Sequence, residues 1–227
     1  MYEVTGRTRA QRVTLAASLA LCVALTWWLL WDGGLAIAGA WFGLHLVAGI
    51  PLRRAYIASA LSIYFVRVLF TDFVFLKRGI SWTEVFTIAP WVLCLYLFFD
   101  FCGGTNPAAL GPASLAGVSL FALGSWINSY AEYQRHKWKR QPKHRGMLYT
   151  QGLFRYTRHP NYLGDLLSFT GLCFLADRWY TAIVPLLMLA GFVFVNVPTL
   201  DAHLQARYGR AFDEYARKTR KLIPFVY

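Results

Sequence analysis

The chain has 227 residues, of which 57% are hydrophobic and only 15% charged, with a formal net charge of +12. A soluble domain carries close to 25% charged residues, so the apolar surplus excludes an ordinary soluble fold and points to a single integral membrane domain over 1–227. The positive charge fits cytoplasmic loops enriched in Lys and Arg or a bound polyanionic small molecule. It does not call for a nucleic-acid partner.

In chain order, Arg7, Arg9 and Arg12 precede a long apolar run that ends in Trp27, Trp28 and Trp31. Clustered tryptophans mark a membrane interface, so the run reads as a retained first span rather than a cleaved leader. A spanning helix needs about 20 apolar residues. Seven stretches approach this: 13–31, 34–50, 55–76, 84–101, 109–130, 163–176 and 179–198. The stretch 34–50 is at the short limit, and 163–176 is too short unless Asn161 to Gly164 join it. The expected architecture is an all-α polytopic transmembrane bundle of about six to seven membrane segments. Residues 1–130 supply the N-terminal membrane helices and 131–227 the cofactor-binding, catalytic half.

Charge distribution places the 131–160 loop and the tail from Asp201 on the cytoplasmic side, with the loop 102–108 outside and Lys77-Arg78 inside. Arg53-Arg54 and Lys77-Arg78 flank one candidate helix and cannot share a side if it crosses once. Either 34–50 does not cross or the N-terminus is outside. Cys22, Cys94, Cys102 and Cys173 show no metal-binding spacing and read as packing residues.

The basic charge is focused: Arg135 to Arg158 holds eight Lys/Arg. Arg135 and Lys139 are four apart and share a helical face. The densest polar run follows, Arg155-Tyr156-Thr157-Arg158-His159-Pro160-Asn161-Tyr162-Leu163-Gly164-Asp165, directly before an apolar stretch. Such a density of donors and acceptors at a membrane boundary implies that something polar is held there. His159 precedes a proline and is biased to extended backbone. Asn161 is suited to cap the next helix, whose free N–H groups form an anion site. In the tail, Leu204, Tyr208, Ala211, Phe212 and Tyr215 recur at helical spacing, which predicts an amphipathic helix that lies on headgroups or closes a cavity. No GxGxxG or P-loop pattern occurs, so a dinucleotide here is not held by a Rossmann domain.

The run Arg158-His159-Pro160-Asn161-Tyr162-Leu163-Gly164-Asp165-Leu166 resembles the signature of integral-membrane sterol double-bond reductases. Gln134-Arg135 with Trp138-Lys139-Arg140-Gln141-Pro142 is similar to that family's upstream Gln-Lys…Phe-Arg-Lys-x-Pro segment. Arg207-Tyr208-Gly209, Tyr215 and Leu222-Ile223-Pro224 are similar to its closing pattern. The resemblance covers about 133–227 and lies in a superfamily that includes steroid 5-alpha-reductases and isoprenylcysteine carboxyl methyltransferases. The methyltransferases carry a Glu-Glu pair before the tail helix and the reductases Arg-Asp-Glu. This chain has Thr199-Leu200-Asp201.

The resemblance implies NADPH-dependent reduction of a C=C bond in a sterol, steroid or other isoprenoid lipid. The alternative is S-adenosylmethionine-dependent methylation of a prenylated or lipid substrate. By resemblance, Arg135 and Lys139 hold cofactor phosphates, while Asn161, Tyr162, Tyr149 and Phe154 contact the dinucleotide. Arg158, His159 and Asp165 complete the cofactor site, and Asp201, Arg207, Tyr208 and Tyr215 close it from the tail. A reductase needs a proton donor beside the hydride acceptor. The expected donor or relay is Tyr215 with Asp201 as its partner, then Tyr162.

Overall fold

The structure, a computed structural model, describes residues 8–76 and 78–227; the readings on Arg7 and Lys77 lie outside them. The described residues are helical, with no strand and a single bridge between Thr157 and Arg220. The chain divides into two compact units. One runs through Ser119 and includes Gly171–Ala182; the other comprises Leu120–Thr170 and Ile183–Tyr227.

The core of the first unit is α1 (Arg9–Trp31), α3 (Pro51–Phe70) and α4 (Trp82–Gly104), which pack on one another. Between α1 and α3 lies the short α2 (Gly34–Trp41). Leu19, Ile57, Leu61 and Phe99 are fully buried in this core. Polar groups inside the bundle are satisfied locally. Thr26 donates to Asp100 at 2.8 Å and the Tyr96 hydroxyl to the Leu61 carbonyl at 2.7 Å. A capping box starts α4, with Ser81 and Glu84 exchanging side-chain-to-backbone bonds. Arg78 also pairs with Glu84 at 2.6 Å. All four cysteines are free, and Cys173 Sγ donates to the Thr181 carbonyl at 3.0 Å.

Among the described residues, four helices are long and apolar enough to cross a membrane: Arg9–Trp31, Pro51–Phe75, Trp82–Gly104 and Trp179–Tyr208. This is fewer than the six to seven segments expected. The stretch 34–50 accounts for part of the difference. It forms only α2 and then leaves the helix. Leu44 N–H turns back onto the Gly39 carbonyl at 2.8 Å, Gly43 takes a positive φ of 67°, and Pro51 opens the next helix. The remaining stretches form α5 (Pro112–Lys139), which is long but interspersed with Gly, Ser and Asn, and α6 (Pro160–Ala176), which has 17 residues.

Asn161 to Gly164 do join α6. The helix starts at Pro160, whose fixed φ and missing N–H suit a first position. Asn161 is therefore inside the first turn and is not the cap that the sequence suggested.

In the second unit, α5 and α6 meet through glycine. A Cβ on Gly124 would lie 2.4 Å from the Gly164 carbonyl oxygen, and one on Gly164 would lie 2.6 Å from that of Gly124. Such contact is the usual close approach of membrane helices. The single tail helix expected from the sequence is broken in two. The helical run from Trp179 continues through α7 (Ile183–Gly191), a π-helical segment Phe192–Asn196 and α8 (Val197–Tyr208). Gly209 then takes φ 51°, ψ −126°, and α9 (Arg210–Lys218) begins. A glycine tolerates this backbone where other residues rarely do.

Candidate functional site

The polar run and the tail come together in the second unit. The α5 end contributes Glu132, Arg135 and Lys139, and a knot of aromatic rings fixes the loop that follows. Trp138 stacks on His144 with centroids 4.0 Å apart, and Tyr149 packs against Trp138 and Phe154, each at 5.3 Å. Gln134, a residue of the upstream family-like segment, serves this loop structurally, because its Oε1 accepts from Leu153 N at 3.1 Å.

Thr157, 2% exposed, anchors the turn into α6. Its hydroxyl lies 3.0 and 2.9 Å from the Lys221 and Leu222 carbonyls and accepts from His159 N at 3.3 Å. Arg158 N donates to the Arg220 carbonyl at 2.8 Å. The C-terminal residues are thus bolted to the loop that presents Arg158 and His159.

Two carboxylates organise the charges. Asp201 on α8 receives Arg158 Nη2 at 2.9 Å on one oxygen and lies 3.0 Å from His159 Nε2 through the other. Glu132, 4% exposed, pairs with Arg135 and accepts from Asn161 Nδ2 at 3.4 Å. Arg158 and His159 are 8% and 1% exposed. The Arg158 guanidinium lies over the Phe212 ring at 5.6 Å, and its Nε is buried without a hydrogen-bond partner.

A cavity opens between these elements. Of the predicted residues, Arg135, Lys139, Tyr149, Phe154, Arg158, His159, Asn161, Tyr208 and Tyr215 line it. The break at Gly209 allows Tyr208 of α8 and Tyr215 of α9 both to reach it. Leu148, Leu200 and Leu204 complete the wall. Asp201 stands behind the wall and holds two of its members.

Besides Asp201, three predicted residues are not among those that line the cavity. The Tyr162 ring is stacked between His159 (5.5 Å) and Phe192 (4.7 Å). Asp165 accepts from Asn128 Nδ2 at 3.1 Å, and the same amide donates to the Asn161 carbonyl at 2.9 Å. Arg207 is exposed and lies over the Tyr208 ring at 5.6 Å.

Tyr215 differs most from its expected setting. Its hydroxyl donates to the Phe154 carbonyl at 2.6 Å, and Asp201, its expected partner, is taken by Arg158 and His159. Burial pushes the Tyr215 pKa well above the usual phenol value; the Arg158 cation opposes this and the Asp201 carboxylate adds to it. Burial, with Tyr130 nearby, also raises that of Tyr149.

Sequence reasoning missed the organising role of Glu132, the face supplied by Phe212 and the anchor at Thr157. Glu132 carried a signal, an acid one helical turn before Arg135. Thr157 carried none, because its partners are backbone groups more than sixty residues away.

Chemically, the cavity wall offers three basic side chains, four aromatic rings besides His159, and no carboxylate. Such a wall is electropositive and aromatic, a setting in which an anion with a planar body gains from both charge and stacking. The chain is 26% identical over 207 residues to a Delta(14)-sterol reductase of Mus musculus, covering 81% of this chain and 47% of that protein. It is 27% identical over 111 residues to 3-oxo-5-alpha-steroid 4-dehydrogenase 2 of Homo sapiens, covering 49% and 42%. It is 25% identical over 118 residues to a protein-S-isoprenylcysteine O-methyltransferase of Schizosaccharomyces pombe, covering 49% of each. The chain thus spans about half the length of the curated relatives it matches, and these relatives are enzymes. Residues 77–219 match the family described as "Protein of unknown function (DUF1295)", and the chain belongs to that family, alongside the sterol reductases, steroid reductases and isoprenylcysteine methyltransferases it resembles.

Proposed function

We propose that this chain is a membrane-embedded, NADPH-dependent reductase of a C=C bond in a sterol, steroid or other isoprenoid lipid. One observation carries the reading: Arg135, Lys139 and Arg158 line the cavity, while the nearby carboxylates of Glu132 and Asp201 are absent from its wall. A phosphate-rich ligand gains from such a wall. The sulfonium and ammonium of S-adenosylmethionine gain nothing from it. Arg158 Nε, buried and unpartnered, is a donor that a bound anion can satisfy.

In this reading Arg135 and Lys139 take phosphate oxygens. Tyr149, Phe154 and Tyr208 provide flat surfaces, and Asn161, held by Glu132, hydrogen-bonds the dinucleotide. Arg207 adds charge at the exposed rim, while Asp165 keeps Asn161 in place through Asn128. When bound, NADPH supplies hydride to one carbon of the double bond. The proton for the other carbon comes from His159, which Asp201 orients through Nε2. Tyr215 holds the loop instead, since its hydrogen is directed at the Phe154 carbonyl. The cavity faces the cytoplasm, with the basic loop and the C-terminus on that side.

Methyl transfer from S-adenosylmethionine is the competing reading, because the isoprenylcysteine methyltransferase match is about as close as those to the reductases. Thermal-shift and calorimetric titration of the detergent-purified chain with NADPH, NADH and S-adenosylmethionine separates the two. Saturable stabilisation by NADPH is the expected result. Binding of S-adenosylmethionine alone would overturn the proposal.

A further inference from the structure

The π-helical segment Phe192–Asn196 lies inside the candidate span Trp179–Tyr208. It closes with Val197 N–H on the Phe192 carbonyl, five residues back. Such segments are rare and cluster at functional sites. The geometric effect here is specific. At about 100° per residue, an unbroken α-helix would put Asp201 on the side opposite Phe192. A π-turn absorbs about one extra residue and brings Asp201 back toward the Phe192 side. Both then serve α6: Asp201 reaches His159, and the Phe192 ring stacks on Tyr162 at 4.7 Å and 9°. Tyr162 stacks in turn on His159 at 5.5 Å and 19°. Three near-parallel rings therefore lead from the cavity wall toward the lipid-facing part of the segment, where Phe194 is 79% and Val195 60% exposed.

Asn196 ends the same segment. It is exposed, within a span, and its side chain has no hydrogen-bond partner among the described residues. Its Oδ1 would lie 3.9 Å from a Cβ on Gly191, so the amide turns back along the segment. A bare amide in hydrocarbon is costly, and polar residues at membrane depth commonly mark ligand pathways.

We propose that Asn196 and the Tyr162–Phe192 ring pair form the substrate subsite. The amide takes the lone oxygen of a flat polycyclic isoprenoid, and the rings take its apolar body. The assignment rests on the reductase reading for its meaning, since it delivers the lipid beside His159.

The test uses the full chain in nanodiscs, a tritiated 3-oxo-4-ene steroid as probe and the same ring system without the oxygen as comparison. An NADPH thermal shift is recorded on each sample. Asn196→Leu leaves an apolar side chain facing lipid and is compatible with the fold. It is expected to weaken the oxo-steroid about tenfold, the worth of one hydrogen bond, and to leave the hydrocarbon unchanged. Phe192→Ala should weaken both ligands, and Phe194→Ala, on the exposed part of the same segment, neither.

An unchanged oxo-steroid affinity in Asn196→Leu, an equal loss for both ligands, or no saturable steroid binding by the unmodified chain overturns the subsite. So does a dimer that Asn196→Leu dissociates with steroid binding intact, which would make a second copy the partner of the amide. If NADPH fails to bind but the steroid pattern holds, the subsite stands and the reductase reading falls.

Discussion

Arg53 in the first unit and Arg158 in the second are both deeply buried, both pair with an aspartate, and both leave Nε without a partner. Their surroundings differ. The terminal nitrogens of Arg53 are used up by the chain itself: the Leu175, Ala108 and Ala109 carbonyls and Asp177. This guanidinium closes the end of α6 and the 108–109 loop. Arg158 has one carboxylate, one aromatic face and a cavity. A buried charge whose valences end in backbone is structural. One that borders a cavity with a valence open can act on a ligand.

The largest expected effect tests that contrast directly. Arg53→Leu leaves three carbonyls and Asp177 without their donor. A buried acceptor left without its donor costs about 1–3 kcal/mol, while Asp177 is itself exposed and can turn to solvent, so the melting temperature of the purified protein should fall sharply. NADPH binding by the fraction that remains folded should be unchanged. A loss of NADPH affinity at unchanged stability would erase the distinction.

The next effect probes the cavity. Arg135→Gln with Lys139→Gln keeps a hydrogen-bond donor for buried Glu132 while removing both charges. Charge-assisted hydrogen bonds are worth about 1.5–3 kcal/mol each, so NADPH affinity should drop on the order of 100-fold, with little change in melting temperature. Binding that ignores both substitutions would sink the phosphate assignment. A third variant, Gly124→Leu, acts on packing alone. Its side chain would enter the space of the Gly164 carbonyl, and overpacking costs about 1–3 kcal/mol. Gly124→Ala should show a smaller loss in the same denaturation experiment.

The sequence makes some of this legible and hides the rest for physical reasons. The helical class and the first, third and fourth spans follow from apolar runs, and the gathering of the 135–158 bases from charge focus, while the place of Tyr208 and Tyr215 beside them follows from the family resemblance. The failure at 34–50 arises because apolar content does not encode the turn at Gly43. The tail's apolar face reads as one helix because Leu204, Tyr208, Phe212 and Tyr215 keep their spacing across Gly209. Composition does not reveal that this glycine adopts a positive φ. The π-turn at Phe192–Asn196 is silent too, yet it decides which side of the helix carries Asp201. Hydrogen bonds to distant backbone, such as Tyr215 to Phe154 and Thr157 to Lys221, leave no pattern at all.

The smallest effect concerns Tyr215, where the chemical and structural readings of one residue diverge. If its hydroxyl only anchors the Phe154 carbonyl, Tyr215→Phe loses one buried hydrogen bond, about 1 kcal/mol, and NADPH binding persists. Its pH signature is distinct. Burial raises the folded pKa of the phenol above the unfolded value of about 10. The folded state therefore favours the protonated form. The corresponding stability is complete below about pH 10 and is lost as pH climbs from there toward the raised folded value. Denaturation from about pH 8 to about pH 11 should show the unmodified protein losing stability more steeply than Tyr215→Phe at the alkaline end, with parallel curves below about pH 9. An activity loss far beyond that small change in stability, with the fold and NADPH binding intact, would return the proton-donor role to Tyr215 and take it from His159.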